Sequence, residues 1–267
     1  GPEPTGAVLR RTPSGAADPA FGGDGRVDLE SPALCGTAST SVHDLVVQPD
    51  SKVLVTGSCS SAEHTVALVW RLTTAGGLDT SFGDDGIWAH EFAPDSCCTV
   101  TVDRLAGGDL IVSAHLADLH VFRLSPAGQV DTSYAGDGEA VVTQDWVYGG
   151  NSLAAVDADG TVYVDRGVGE VSRLHPDGTV DAAYGTAALA QPAPCGYPEL
   201  LGALAAAGEL LGLVHCIEGA VVSTLDNSGE LDAAFGTRPT AVRSSASLAF
   251  YGSRDMLVDD DGGFLVI

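Results

Sequence analysis

Six side chains have the chemistry to hold or transform a ligand: the carboxylates Asp44 and Asp255, and the rings of Trp146, Tyr148, Tyr197 and Tyr251. Asp44 and Asp255 align in two copies of a repeat, at a place where other copies carry Thr101, Leu153 and Leu201. Two carboxylates on one rim are what a glycosidase needs as acid and base, and Glu199 falls near the same rim. The competing reading is an ordinary solvated pair, and it is favoured. The tyrosines recur just before a strand, in Trp146-Val-Tyr148, Cys195-Gly-Tyr197 and Phe250-Tyr251. A ring with a flat apolar face and a polar tip suits a sugar or a protein hot spot, and it equally well fills a loop. The chain has no Gly-x-Ser-x-Gly elbow and no Gly-rich phosphate loop, and its seven histidines are scattered. No catalytic residue and no cofactor are therefore assigned.

The six cysteines are Cys35, Cys59, Cys97, Cys98, Cys195 and Cys216. None forms C-x-x-C, and no His/Cys spacing matches a structural zinc site. An even count without metal spacing reads as disulfides in an oxidising compartment, which predicts a secreted or extracellular protein. Asp-rich turns invite calcium, but none follows the D-x-[DN]-x-[DN]-G pattern, and no metal site is assigned.

Composition excludes several partners. The net charge is −24, with 12 Lys and Arg against 36 Asp and Glu, and Lys52 is the only lysine. No basic stripe exists to displace counterions from nucleic acid. No apolar run approaches the roughly 20 residues of a membrane span. A 45% hydrophobic content supports a packed core rather than disorder.

The elements that must position these residues come from an internal repeat. Its anchor is Asp18-Pro-Ala-Phe21-Gly22, then Asp79-Thr-Ser-Phe82-Gly83, Asp131-Thr-Ser-Tyr134, Asp181-Ala-Ala-Tyr184-Gly185 and Asp232-Ala-Ala-Phe235-Gly236. Eight residues before each anchor stands Arg10, Arg71, Arg123 or Arg173, with Thr224 in the last copy. Pro/Gly turns separate each arginine from its anchor. A hairpin, Leu45 to Val55, recurs at Val102, Ala154, Gly202 and Met256. Each unit thus holds four strands; in the first complete one, A is about 43–48, B about 52–58, C about 65–72 and D about 86–92. Strands A to C are apolar at consecutive positions, which predicts sheets covered on both faces.

Four-stranded sheets at this period predict an all-β chain, a β-propeller forming a single domain over 1–267. Residues 7–12 and 25–30 read as C and D strands, and 255–267 as A and B strands. Joined, they complete a fifth blade, so the prediction is a five-bladed propeller with four antiparallel strands per blade. Its ring is closed by N-terminal and C-terminal strands sharing one blade. In that register Cys35 and Cys195 lie in D–A loops, and Cys59 and Cys216 end B strands. Both loop types emerge on one face, so Cys35–Cys59 and Cys195–Cys216 are the predicted pairs. Each closes a loop worth about 3 kcal/mol in the chain-entropy model. Cys97 and Cys98 have no such partner, leaving a vicinal disulfide, a bond to another chain, or a free thiol. The Arg and Asp at offset eight predict a charge-assisted clamp repeated for structure, with the aromatic packed between blades. Asp232 should then find a partner other than arginine.

These residues resemble the delta-60 repeat family, whose units look like RLxxxGxLDxxFGxxGxV followed by DGKxLVxG. The resemblance covers essentially the whole chain and departs most at Thr224 and after Phe235. It implies the propeller fold far more than an activity. The function expected is a secreted, non-enzymatic recognition module. It is lectin-like and carbohydrate-binding, or takes a protein partner, through its D–A loop face. The alternatives are a glycoside hydrolase and a structural spacer in a secreted multi-protein assembly.

Overall fold

The structure is a computed structural model. It describes residues 6–36, 38, 40–94, 99–143, 153–166, 169–190, 199–206, 208–216, 219–232, 238–240, 256–258 and 264–266. The chain forms two compact units, Gly1–Thr143 and Gln144–Ile267.

The first unit opens with an antiparallel pair, β1 (Gly6–Leu9) and β2 (Arg26–Leu29). A first four-stranded sheet follows: β3 (Thr40–Val47), β4 (Val53–Ser60), β5 (Thr65–Leu72) and β6 (Ile87–Phe92). A second holds β7 (Thr99–Arg104), β8 (Leu110–His115), β9 (Leu119–Leu124) and β10 (Glu139–Val142). The second unit holds a third sheet, β11 (Leu153–Val156), β12 (Val162–Asp165), β13 (Glu170–Leu174) and β14 (Thr186–Ala188). Its fourth is β15 (Glu199–Ala206), β16 (Glu209–Cys216), β17 (Gly219–Leu225) and β18 (Arg238–Thr240). The pair β19 (Met256–Val258) and β20 (Phe264–Val266) ends it. The four four-stranded sheets are antiparallel meanders in chain order, each one A–D set of the repeat, whereas β1–β2 and β19–β20 are two separate two-stranded sheets. The 65–72 strand is found at the predicted residues, and the A and B strands of that sheet run one to three residues away from prediction.

One turn chemistry recurs in the A–B and C–D connections. In the C–D connections, the first turn residue's backbone N–H donates to the carbonyl four residues later. Thr73 donates to Gly77 O at 2.7 Å while Gly76 donates to Thr73 O at 2.9 Å, and Ser125, His175 and Asp226 repeat the pattern. The fourth residue of each turn has positive φ, so glycine is placed there without steric cost; Gly76 is at 92° and Gly128 at 76°. The A–B turns use the same bonds around Gly108 and Gly160, but the first has Ser51 at φ 63°.

The core lies between sheets. β5 is buried along all eight residues and β4 along seven of eight. Phe21 packs with Val8, Leu29, Val55 and Leu68, between the β1–β2 pair and the first sheet. Phe82 packs with Val100, Leu110 and Leu124, between the first and second sheets. Tyr184 packs with Leu210, Val214 and Leu225, between the third and fourth. Each such aromatic contributes about 1.5–3 kcal/mol by its burial. The expectation of two-sided cover is corrected at β3. Val42, Leu45 and Val47 there are 37%, 52% and 63% exposed, although Val100 and Val102 on the equivalent edge strand β7 are buried.

Candidate functional site

The repeated polar residues build joints between neighbouring sheets. Arg10 Nε donates to Asp18 at 2.8 Å, Arg71 Nε to Asp79 at 2.8 Å, and Arg173 Nη2 to Asp181 at 2.6 Å. The second arm of each guanidinium reaches the C–D turn of the following sheet: Arg10 to Thr74 O, Arg71 to Pro126 O, Arg173 to the Asn227 side chain. Each guanidinium also covers its anchor ring, 4.8 Å from Phe21, 4.6 Å from Phe82 and 4.3 Å from Tyr184. Beneath these side chains runs a main-chain bond that does not depend on the arginine. The anchor Asp N–H donates to the carbonyl eight residues earlier in all five copies, Asp232 to Thr224 O at 2.8 Å included.

The second copy corrects the clamp expected for Arg123. Its Nη2 bonds Asp109 at 2.7 Å, while its Nε stands 3.8 Å from Asp131. Asp109 directly follows an A–B turn, where the first sheet has Lys52. There Lys52 Nζ adds a second cation to Asp79, at 2.9 Å. Lys52 foremost, with the Ser81 hydroxyl and Arg71, holds the Asp79 carboxyl far below the usual carboxylate range. Arg173 foremost lowers the Asp181 carboxyl, and the Ser133 hydroxyl foremost lowers that of Asp131. Burial pushes the Tyr184 phenol up.

A histidine clasp joins the first and second sheets. A β-bulge between Val42 and Asp44 puts His43 out of register on β3. Its Nδ1 accepts the Val100 N–H at 2.9 Å, and Thr56 Oγ1 donates to the Val100 carbonyl at 2.6 Å. A ring nitrogen that accepts carries no proton, so this His43 is neutral, and burial lowers its pKa. Farther along, His90 sits 4.6 Å from Phe92 and 4.7 Å from Phe122, and His120 pairs with Glu139. These are packing contacts without a nucleophile. Among the described residues, no three His, Cys, Asp or Glu side chains are grouped to hold a metal. No helix among them is long and apolar enough to cross a membrane.

Of the sequence-predicted site residues, Asp44 is described. It is half-buried on β3, and its carboxylate accepts the N–H of Leu45 at 2.7 Å. Asp255, Trp146, Tyr148, Tyr197 and Tyr251 lie outside the described residues, as do Cys97, Cys98 and Cys195. Glu199 and Cys216 are placed by backbone alone, at the start of β15 and the end of β16. Cys35 and Cys59 form the predicted disulfide, with Cα atoms 5.9 Å apart. Both are buried in the core cluster of the first sheet. The bond ties the loop entering β3 to the far end of β4. The sequence reading missed Lys52, Asp109 and His43 as joint-forming residues. The signal for the first two was the reversal of charge at one repeat position.

Comparison with known proteins agrees with this architecture. Residues 48–82 match the family described as "Domain of unknown function (DUF5122) beta-propeller". No curated protein matches. Among solved structures, a protein of unknown function from Bacteroides caccae is similar over 90% of this chain and 73% of its own, with 13% identity and TM-score 0.50. BamB from Moraxella catarrhalis is similar over 98% and 79%, with 13% identity and TM-score 0.41. Prolyl oligopeptidase B from Galerina marginata is similar over 90% and 32%, with 9% identity and TM-score 0.38. The chain is an all-β protein of four-stranded antiparallel sheets with a β-propeller fold.

Proposed function

We propose that this chain is a secreted, non-enzymatic recognition module, a single five-bladed propeller of the delta-60 repeat kind. Its ring is closed where β19 and β20 supply the A and B strands, and β1 and β2 the C and D strands, of one shared blade. The five-fold main-chain bond from anchor Asp to residue minus eight supports the five-unit count. The module takes a glycan, lectin-like, or a protein partner at the end of the sheets where the D–A loops emerge.

The observation that carries this reading is the Cys35–Cys59 disulfide, which braces a D–A loop against the end of β4. A bond in that place stiffens the loop entering β3, and loops held on a rigid scaffold are where binding residues concentrate. The repeated Arg, Asp and aromatic groups, by contrast, are used up in packing. Trp146, Tyr148, Tyr197 and Tyr251 are the residues assigned to contact the ligand. A glycan array run with the intact chain and with Tyr197→Ala tests the lectin form. Saturable binding lost in the variant supports it; no binding on the array, with no partner affected by Tyr197→Ala, overturns it.

A further inference from the structure

A cleft of about 530 Å³ opens between the first and second sheets, at the end opposite the disulfide. Val53 begins β4 beside this cleft, and Cys59 near its other end closes the disulfide, six residues or about 20 Å away. The cleft is lined by Gln48, Lys52, Arg71, Ser81, Arg104 and Pro126, among others. Three cations converge here, including the only lysine, in a chain of net charge −24. Two of them are spent: Lys52 and Arg71 both bond Asp79, and Lys52 also stands 3.6 Å from Asp50, a carboxylate that lines the cleft too. Arg104 is not. It is exposed at the end of β7, its Nη2 beside Gly108 at the cleft mouth, and it has no carboxylate partner among the described residues.

A second observation is independent of charge. Gln48 is 9% exposed and lines the cleft, and its side-chain amide makes no hydrogen bond among the described residues. A free guanidinium fork matches a carboxylate through two parallel hydrogen bonds. An amide that both donates and accepts matches a hydroxyl. Pro49, Pro126 and Ala127 add apolar wall for the face of a ring. The volume falls within the range of small-ligand sites.

We infer that this cleft binds a hydroxylated carboxylate of monosaccharide size, a sugar acid. Arg104 takes the carboxylate and Gln48 a hydroxyl. The site is separate from the loop end and stands or falls without it.

The test is a calorimetric titration of the intact chain with glucuronate, with glucose and an acidic dipeptide as the comparison ligands. Arg104→Ala and Arg104→Glu are made at an exposed position, and unchanged melting temperatures show that they fold. The expected result is saturable glucuronate binding, no saturation by glucose, about tenfold or greater loss in Arg104→Ala, and retention in Tyr197→Ala. Equal binding of glucose, binding of the dipeptide alone, unchanged affinity in both Arg104 variants, or no saturation by glucuronate overturns the inference. Loss in Tyr197→Ala with retention in Arg104→Ala assigns the ligand to the loop end and also overturns it.

Discussion

Arg123 donates to Asp109 at 2.7 Å and stands 3.8 Å from Asp131, the partner that its place in the repeat would give it. The cause is one position in the A–B hairpin. Where the first sheet has Lys52, the anchor aspartate gains a second cation; where the second sheet has Asp109, the arginine gains a second anion and turns to it. The first joint is also the drier one. Arg71 and Asp79 side chains are 7% and 10% exposed, against 29% and 36% for Arg123 and Asp131. A clamp shared with a competing carboxylate in partial solvent contributes little.

Replacing Asp109 by lysine should therefore rebuild the first sheet's arrangement in the second. Asp109→Lys returns Arg123 to Asp131, lowers the Asp131 carboxyl further, and raises stability by about 1 kcal/mol at neutral pH. NMR titration of Asp131 with a denaturant midpoint checks both parts. An Asp131 carboxyl that titrates unchanged contradicts this account of the joint.

Acid should dissolve the strongest joint last. The Asp79 carboxyl is lowered in the folded protein, so its stabilisation is complete above the ordinary carboxylate range. It is lost only as pH falls below that range toward the lowered folded value. Asp79→Asn removes this dependence and leaves the buried Arg71 charge without its carboxylate, costing about 3–5 kcal/mol at neutral pH. Urea midpoints of the two proteins should differ most near pH 7 and converge in strong acid.

The His43 clasp gives a second, milder pH response. Its folded pKa is lowered, so the unfolded chain binds the proton more readily. Stability is whole above the ordinary histidine value and declines as pH falls through it toward the lowered one. A glutamine at 43 keeps an acceptor for the Val100 N–H and does not titrate. His43→Gln should flatten the part of the stability profile between about pH 7 and 5 that His43 supplies. An identical profile in both proteins removes His43 from the account.

Backbone conformation separates residues the repeat would treat alike. A Cβ on Gly83, at φ 55°, would lie 2.1 Å from the Ile87 carbonyl oxygen, so Gly83→Ala should cost more than about 2 kcal/mol. Gly77 meets nothing nearer than 3.8 Å, so Gly77→Ala should be near neutral. Ser51 occupies at φ 63° the turn position that Gly108 and Gly160 hold elsewhere. Ser51→Gly should add about 0.5–1 kcal/mol, read as a rise in the denaturant midpoint.

The strands, the hairpins and the Cys35–Cys59 pair were legible because they are periodic: the spacing of Asp18, Asp79, Asp131, Asp181 and Asp232 sets the register for all the rest. Departures from the period were not legible. Leu45 and Val47 are exposed on β3 while Val100 and Val102 are buried on the equivalent β7, a difference that consecutive apolar letters do not reveal. Arg123 turns to a residue from a different hairpin. The cleft draws Gln48, Arg71, Ser81, Arg104 and Pro126 from separate segments of two sheets, so no local motif marks it. The loop-end aromatics Tyr148, Tyr197 and Tyr251 stand on sequence register alone.

The central claim, recognition without catalysis at the loop end, is tested most directly by one binding and turnover experiment on a glycan array. The intact chain is compared with Tyr197→Ala, and with Asp44→Asn and Asp255→Asn. The account predicts retained, unhydrolysed glycan whose binding is lost in Tyr197→Ala and kept in both Asp variants. Hydrolysis of an arrayed glycan by the intact chain, abolished in Asp44→Asn and Asp255→Asn, would contradict it.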